Sequence, residues 1–215
     1  MSITIESREM IRRLSLPLRI CDPVLVCAGL LVILGVAGCG RTASRPWNLL
    51  NITGHMPTLE FTLTRDDGQS VTQKAYLGNP VLLYFGYTHC RDVCPTTLAD
   101  LATALKQLGP AADQVRVLFV SVDPARDTPA VLKNYVNVFG PWFVGLTGSQ
   151  AQLRALTQRL RVTYQLGEPD ARGDYEVYHS STVFIFDRQG NARLLASESD
   201  KPEVIAADLK RLLLE

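Results

Sequence analysis

The sequence predicts an α/β domain, a mixed β-sheet flanked by helices, preceded by a segment that is no part of the fold. Three observations carry that reading. Two apolar runs, residues 81–85 and 115–122, alternate with stretches of helical hydrophobic periodicity. A hairpin pattern and one more helix pattern close the chain, so strands and helices interleave in a sheet of mixed direction. Finally, 215 residues with 47% hydrophobic content suffice to bury one core in a single domain.

Taken in order, the chain begins with Arg8, Arg12, Arg13 and Arg19 ahead of an uncharged run from Pro23 to Gly40. A basic region followed by an apolar one is the pattern of an export signal. It ends Val36-Ala37-Gly38-Cys39, which resembles a bacterial lipobox, in which the cysteine is acylated and becomes the first residue after cleavage. The alternative is an uncleaved membrane anchor, because about 18–20 apolar residues is the shortest comfortable span. Both readings of residues 1–39 put the remaining domain on the periplasmic or extracytoplasmic face of a bacterial membrane, tethered by lipid or helix. The 22 basic and 21 acidic residues fall to 18 of each once that segment is set aside. Such balance argues against a nucleic-acid partner.

Residues 40–56 show little periodicity and read as a surface linker, leaving 57–215 as the folded domain. Leu59, Phe61 and Leu63 alternate, Asp66-Asp67-Gly68 turns, and Ser70-Val71-Thr72 returns, which predicts a hairpin. Val81–Phe85 predicts a buried strand broken by Gly86. Leu98, Leu101, Ala102, Leu105 and Leu108 share one helical face, stopped by Gly109-Pro110. Residues 115–122 form a second buried strand. Asp127 or Thr128 then caps a helix whose buried stripe is Leu132, Tyr135, Val136 and Phe139. A short strand over Trp142–Thr147 precedes a third helix, opened by a capping box of Ser149 with Gln152. Residues 167–174 are a polar loop. Thr182–Phe186 and Ala192–Ala196 make the closing hairpin, and a last helix spans about 202–214, with Asp200 and Glu203 as a capping pair.

The chemistry lies between the first strand and the first helix, in Gly86-Tyr87-Thr88-His89-Cys90-Arg91-Asp92-Val93-Cys94-Pro95. Of five cysteines, Cys21 and Cys27 fall in the N-terminal segment and Cys39 is the lipidation candidate. Cys90 and Cys94 alone remain in the domain, which makes them a site rather than a disulfide framework. Pro95 suits a first helical turn, where its missing N–H costs nothing. A helix N-terminus favours thiolate, the form that attacks disulfides and also binds soft metals. Spaced i, i+4, the two share a helical face. A redox pair of thioredoxin type has two intervening residues, whereas here there are three. The arrangement, thiols at the end of the first long strand and opening the first core helix, matches a thioredoxin-like fold.

A metal would want a third ligand, and the chain has three histidines. His55 lies in the linker and reads as a surface residue. His89 adjoins Cys90 but points away along an extended segment, so it reads as structural. His179 precedes the strand Thr182–Phe186, whose start faces the cysteines in thioredoxin-like folds. A reductase of that kind carries a cis-proline there; Ser181 holds the place here.

Three ordered segments resemble the SCO/SenC family of copper proteins: residues 86–95, the segment Ser121-Val122-Asp123-Pro124-Ala125-Arg126-Asp127-Thr128-Pro129, and Asp174-Tyr175-Glu176-Val177-Tyr178-His179-Ser180-Ser181. The resemblance covers Leu59 to the C-terminus. Arg91 departs from it, standing where the family usually has proline. The resemblance implies a thioredoxin-like domain that binds one copper ion, copper(I) or copper(II), through Cys90, Cys94 and His179. It also implies a role in building the binuclear copper site of cytochrome c oxidase subunit II, the expected partner. Thiolate suits copper(I), and imidazole lets copper(II) be held as well. Structural zinc closes with a fourth protein ligand, and none is evident. Asp123 reads as fixing its loop with Pro124 and Asp127 as a helix cap.

Three functions compete. The first is a monomeric metallochaperone, a transfer protein rather than a turnover enzyme. A thiol–disulfide reductase acting on the partner's copper-site cysteines is the second, and a peroxidase of peroxiredoxin type the third. The chaperone needs His179, and the reductase does not.

Overall fold

The computed structural model describes residues 46–215. The expectations on residues 1–45, Cys39 among them, lie outside the described residues. No helix among the described residues is long and apolar enough to cross a membrane.

Eight strands form one sheet: β1 (Leu50–Asn51), β2 (Thr62–Arg65), β3 (Ser70–Thr72), β4 (Val81–Gly86), β5 (Arg116–Ser121), β6 (Phe143–Thr147), β9 (Val183–Phe186) and β10 (Ala192–Ala196). Their spatial order is β1-β10-β9-β4-β5-β6-β2-β3. β4, β5 and β6 run parallel, and β9 pairs antiparallel with β4. The sheet is mixed, as the sequence predicts. Every residue of β4 is buried, which explains why it reads as an unbroken apolar run. The helices are α1 (Val93–Gln107), α2 (Pro129–Asn137), α3 (Gln150–Arg159) and α4 (Pro202–Leu212), and α1 packs against α4. The face of α1 that carries Leu98, Leu101, Ala102 and Leu105 is buried, as its periodicity requires. The Ser149–Gln152 capping box is present at α3.

Two local expectations are corrected, and one element is new. The linker does not extend to residue 56 as surface chain: β1 pairs with β10, and Leu49 and Ile52 are buried. Asp208, itself fully buried, accepts hydrogen bonds from the backbone N–H groups of Asn48 and Leu49 and from the Asn48 side chain. That docks the segment to α4. At the start of α4 Lys201 stands at the cap position without a side-chain bond, because the Asp200 carboxylate accepts from the Ser197 N–H and hydroxyl instead. A separate two-stranded ribbon, β7 (Tyr164–Leu166) with β8 (Val177–His179), flanks the polar loop. The sequence pattern does not predict it.

Candidate metal centre

Three separate elements deliver the candidate ligands. Helix α1 starts at Val93, two residues before Pro95, so Cys94 lies inside its first turn. Cys90 stands within the loop between β4 and α1, and His179 is the last residue of β8. The two sulfurs and an imidazole nitrogen all lie within 4.8 Å of one another. Among the described residues this is the one such group of histidine, cysteine and carboxylate ligands. Cys94 Sγ is 3.3 Å from His179 Nε2. Both cysteines are free, Cys94 fully buried and Cys90 half-buried.

The imidazole is aimed by its other nitrogen. Nδ1 lies 3.0 Å from the Ser180 carbonyl, so Nδ1 carries the proton and Nε2 turns its lone pair to the sulfurs. Burial pulls the His179 pKa below its ordinary value, which keeps the ring neutral and able to ligate. The rings of Tyr84 and Tyr87 meet it edge-on, with centroids 6.0 and 5.9 Å away. Tyr87 in turn donates to Glu176 at 2.6 Å, binding the end of β4 to the ribbon that carries His179.

The expectation that both thiols favour thiolate is corrected at Cys94. The backbone N–H of Cys94 does donate to Cys90 Sγ, at 3.4 Å, as a helix N-terminus should. For Cys94 itself, burial outweighs the helix end and pushes the thiol up to about 12. Tyr84, fully buried above it, donates its hydroxyl to Cys94 Sγ at 3.7 Å. A metal held by Cys94 would have to displace the proton of its thiol.

The segment after β5 ties the ligand-bearing pieces together. Asp127 is not the helix cap; Thr128 takes that role, accepting from the Val131 N–H. Asp127 is fully buried and accepts from the Thr88 N–H at 2.9 Å, the Thr88 hydroxyl at 2.6 Å and the Ser121 hydroxyl. It therefore fixes the loop that carries Cys90. Asp123, equally buried, accepts from the Arg126 guanidinium and, at 2.7 Å, from the Tyr175 hydroxyl. Its backbone carbonyl accepts from the Arg126 and Asp127 N–H groups, the loop-fixing role expected of it. Arg126 reaches across to the Tyr175 carbonyl at 3.0 Å and lies 3.6 Å above the Tyr175 ring, holding the ribbon. Tyr84, Tyr87, Arg126, Tyr175 and Glu176 escape a reading of the sequence as ligand spacing alone, although all five lie in or beside the three segments that carry the resemblance.

His89 is exposed, 3.2 Å from the Thr88 hydroxyl and away from the sulfurs. His55 is exposed too. Arg91 is exposed on the lip of the cleft that holds Cys90 and His179.

The SCO1/SenC family model matches residues 54–214. The chain belongs to the SCO1/SenC family. It is 41% identical over 133 residues to the mitochondrial SCO1 homolog 1 of Arabidopsis thaliana, covering 61% of this chain and 39% of that one. With the mitochondrial SCO2 homolog of Bos taurus it shares 36% identity over 154 residues, 71% of this chain and 58% of the relative. It thus spans well under two thirds of the length of these relatives. Among solved structures, the copper-bound ScoI of Bradyrhizobium japonicum superposes with a TM-score of 0.67 at 41% identity, covering 72% of this chain and 98% of that one. The thioredoxin-like architecture of this family is the one described above.

Proposed function

We propose that this chain is a copper metallochaperone, tethered to the outer face of a membrane by its N-terminal segment, which takes one copper ion on Cys90, Cys94 and His179. One observation carries the reading: two free thiols and a neutral imidazole nitrogen lie within 4.8 Å of one another at the edge of a cleft. Two sulfurs and one nitrogen are a donor set for copper(I), with the imidazole extending it to copper(II). The copper-bound relative supports the choice of metal. The recipient we infer, from family membership, is the binuclear copper site of cytochrome c oxidase subunit II, and the acting form is a monomer. Incoming thiols would meet half-buried Cys90 first, since Cys94 is fully buried.

The reductase reading keeps one observation in its favour, namely that the two thiols are free and adjacent. The experiment that separates the two uses the reduced fragment from about Thr42 onward. Copper titration should give one equivalent bound, with thiolate-to-copper(II) charge-transfer absorption under air. His179→Ala should lose that absorption, and Cys90→Ser or Cys94→Ser should lose tight binding. A native fragment that binds no copper sinks the chaperone. A His179→Ala variant that still reduces a partner disulfide at full rate would support the reductase.

A further inference from the structure

Beside the metal centre a second recess of about 280 Å³ opens between the start of α1 and the turn from β10 into α4. Val93, Leu101 and Ile205 give it an apolar floor, while Asp92, Asp100, Glu198 and Asp200 make its rim acidic. No lysine or arginine lines it. Among the described residues, none of the four rim carboxylates takes part in an ion pair. Asp92, Val93 and Glu198 line this recess and also the cleft of Cys90 and His179, so the two are continuous. The rim carboxylates do not converge on a point where an ion could sit, because the one convergent group among the described residues is Cys90, Cys94 and His179. The recess is shaped for a long side chain rather than a bare cation. An apolar floor takes the aliphatic stem of lysine or arginine while an acidic rim takes its charged head.

We propose that this recess is a docking groove for the protein that receives the metal, and that it takes an extended segment carrying lysine or arginine beside the recipient's thiols. The proposal rests on the metal-transfer reading of the site. Its physical sense is electrostatic: rim carboxylates close to the surface speed and orient an encounter more than they tighten it. A segment lying in the groove runs past Asp92 and Val93 to the Cys90 side of the centre. The exchange that follows is balanced. Copper(I) remains copper(I), each acceptor thiol that ligates it releases a proton, and each donor thiolate set free takes one up.

The test uses the full chain in detergent, reduced, loaded with copper(I) and kept anaerobic. Two synthetic peptides with one and the same two-cysteine core serve as acceptors, one flanked by lysines and the other by glutamates. Copper should pass to the lysine peptide about tenfold faster at low ionic strength. The gap should close near ~0.5 M salt, where charges are screened within a few ångströms. Asp100→Lys with Glu198→Lys should reverse the preference, and Asp100→Asn with Glu198→Gln should abolish it, each variant still loading one copper. Equal rates for the two peptides, or a preference that survives both pairs of substitutions, overturn the groove while leaving the metal site standing. An unmodified chain that never loads copper overturns the metal reading and the groove with it. A dimer of the chain that dissociates on the same charge reversal gives the groove to a second copy and overturns the proposal.

Discussion

Gly86→Ala tests how tightly the metal centre is packed against the core. A Cβ at this position would lie 2.5 Å from Cε2 and 3.1 Å from Cζ of Phe119, and 3.0 Å from Cys94 Sγ. Favourable carbon contacts lie at about 3.5–4.0 Å, so the ring must give by about 1 Å. Phe119 has little room to do so. It is fully buried, with Tyr84 and Tyr135 against it at centroid distances of 6.2 and 5.3 Å. Overpacking of this kind costs about 1–3 kcal/mol. Urea unfolding of the reduced, metal-free fragment should show a lower midpoint with an unchanged slope. The second consequence is local: moving Cys94 Sγ disturbs the ligand group, so copper(I) affinity should fall as well. Adding Phe119→Leu removes the main clash, so the double variant should be more stable than the two single losses predict. A Gly86→Ala fragment within about 0.5 kcal/mol of the original that also titrates copper normally would refute the reasoning. The glycine would then be a strand end and nothing more.

Two further outcomes follow from the buried groups. Asp127→Asn keeps the shape but leaves the Thr88 N–H or a hydroxyl facing an amide donor, so stability should fall by about 1–3 kcal/mol in urea unfolding, with the Cys90 loop exchanging its amide hydrogens faster. Metal affinity should also depend on pH. Because the Cys94 thiol is pushed up to about 12, it is protonated at neutral pH and must lose that proton to bind. This one proton should therefore make apparent copper(I) affinity, measured by competition with a chelator, rise at least about tenfold per pH unit between pH 6 and 8. Burial holds the His179 pKa below its ordinary value, so the ring adds less to the slope than a free imidazole would.

The sheet was legible where burial is complete. β4 and β5 are covered on all sides and therefore write themselves as apolar runs, and α1 shows its buried face at helical spacing. β7 and β8 left no such mark, since Tyr164-Gln165-Leu166 and Val177-Tyr178-His179 are three residues each and only Val177 among them is buried. That is why His179 reads as the approach to a strand rather than the end of one. The cluster of Cys90, Cys94 and His179 was legible as a candidate from cysteine spacing, a shortage of histidines and the three family-like segments. The groups that hold it were not. Asp127 precedes a helix start, and the local signal for a cap is strong; its true partner Thr88 lies 39 residues away, a separation no local pattern encodes. Cys94 failed for the same reason. The helix end that favours its thiolate is written in the sequence, whereas the burial that overrules it comes from the core packed around Cys94, Tyr84 included.

The two sulfurs differ, and the difference is what the proposed transfer would need. Cys94 is fully buried, in the first turn of a helix, with a tyrosine hydroxyl on its sulfur. Cys90 is half-buried within a loop and faces the cleft. If both were buried, an incoming thiol would find nothing to attack; if both were exposed, the metal would be open to any thiol in the medium. Positioning matters because the three candidate ligands come from a loop, a helix and a ribbon that share no local geometry. The segment from Ser121 to Thr128 supplies it, one carboxylate holding Thr88 on the cysteine loop and the other, through Arg126 and Tyr175, holding the histidine ribbon. Because both carboxylates stand on one short segment, the distance between Cys90 and His179 is set by the backbone between Asp123 and Asp127. A centre built this way would hold its three candidate ligands together before a metal arrives, while offering only one sulfur to a partner.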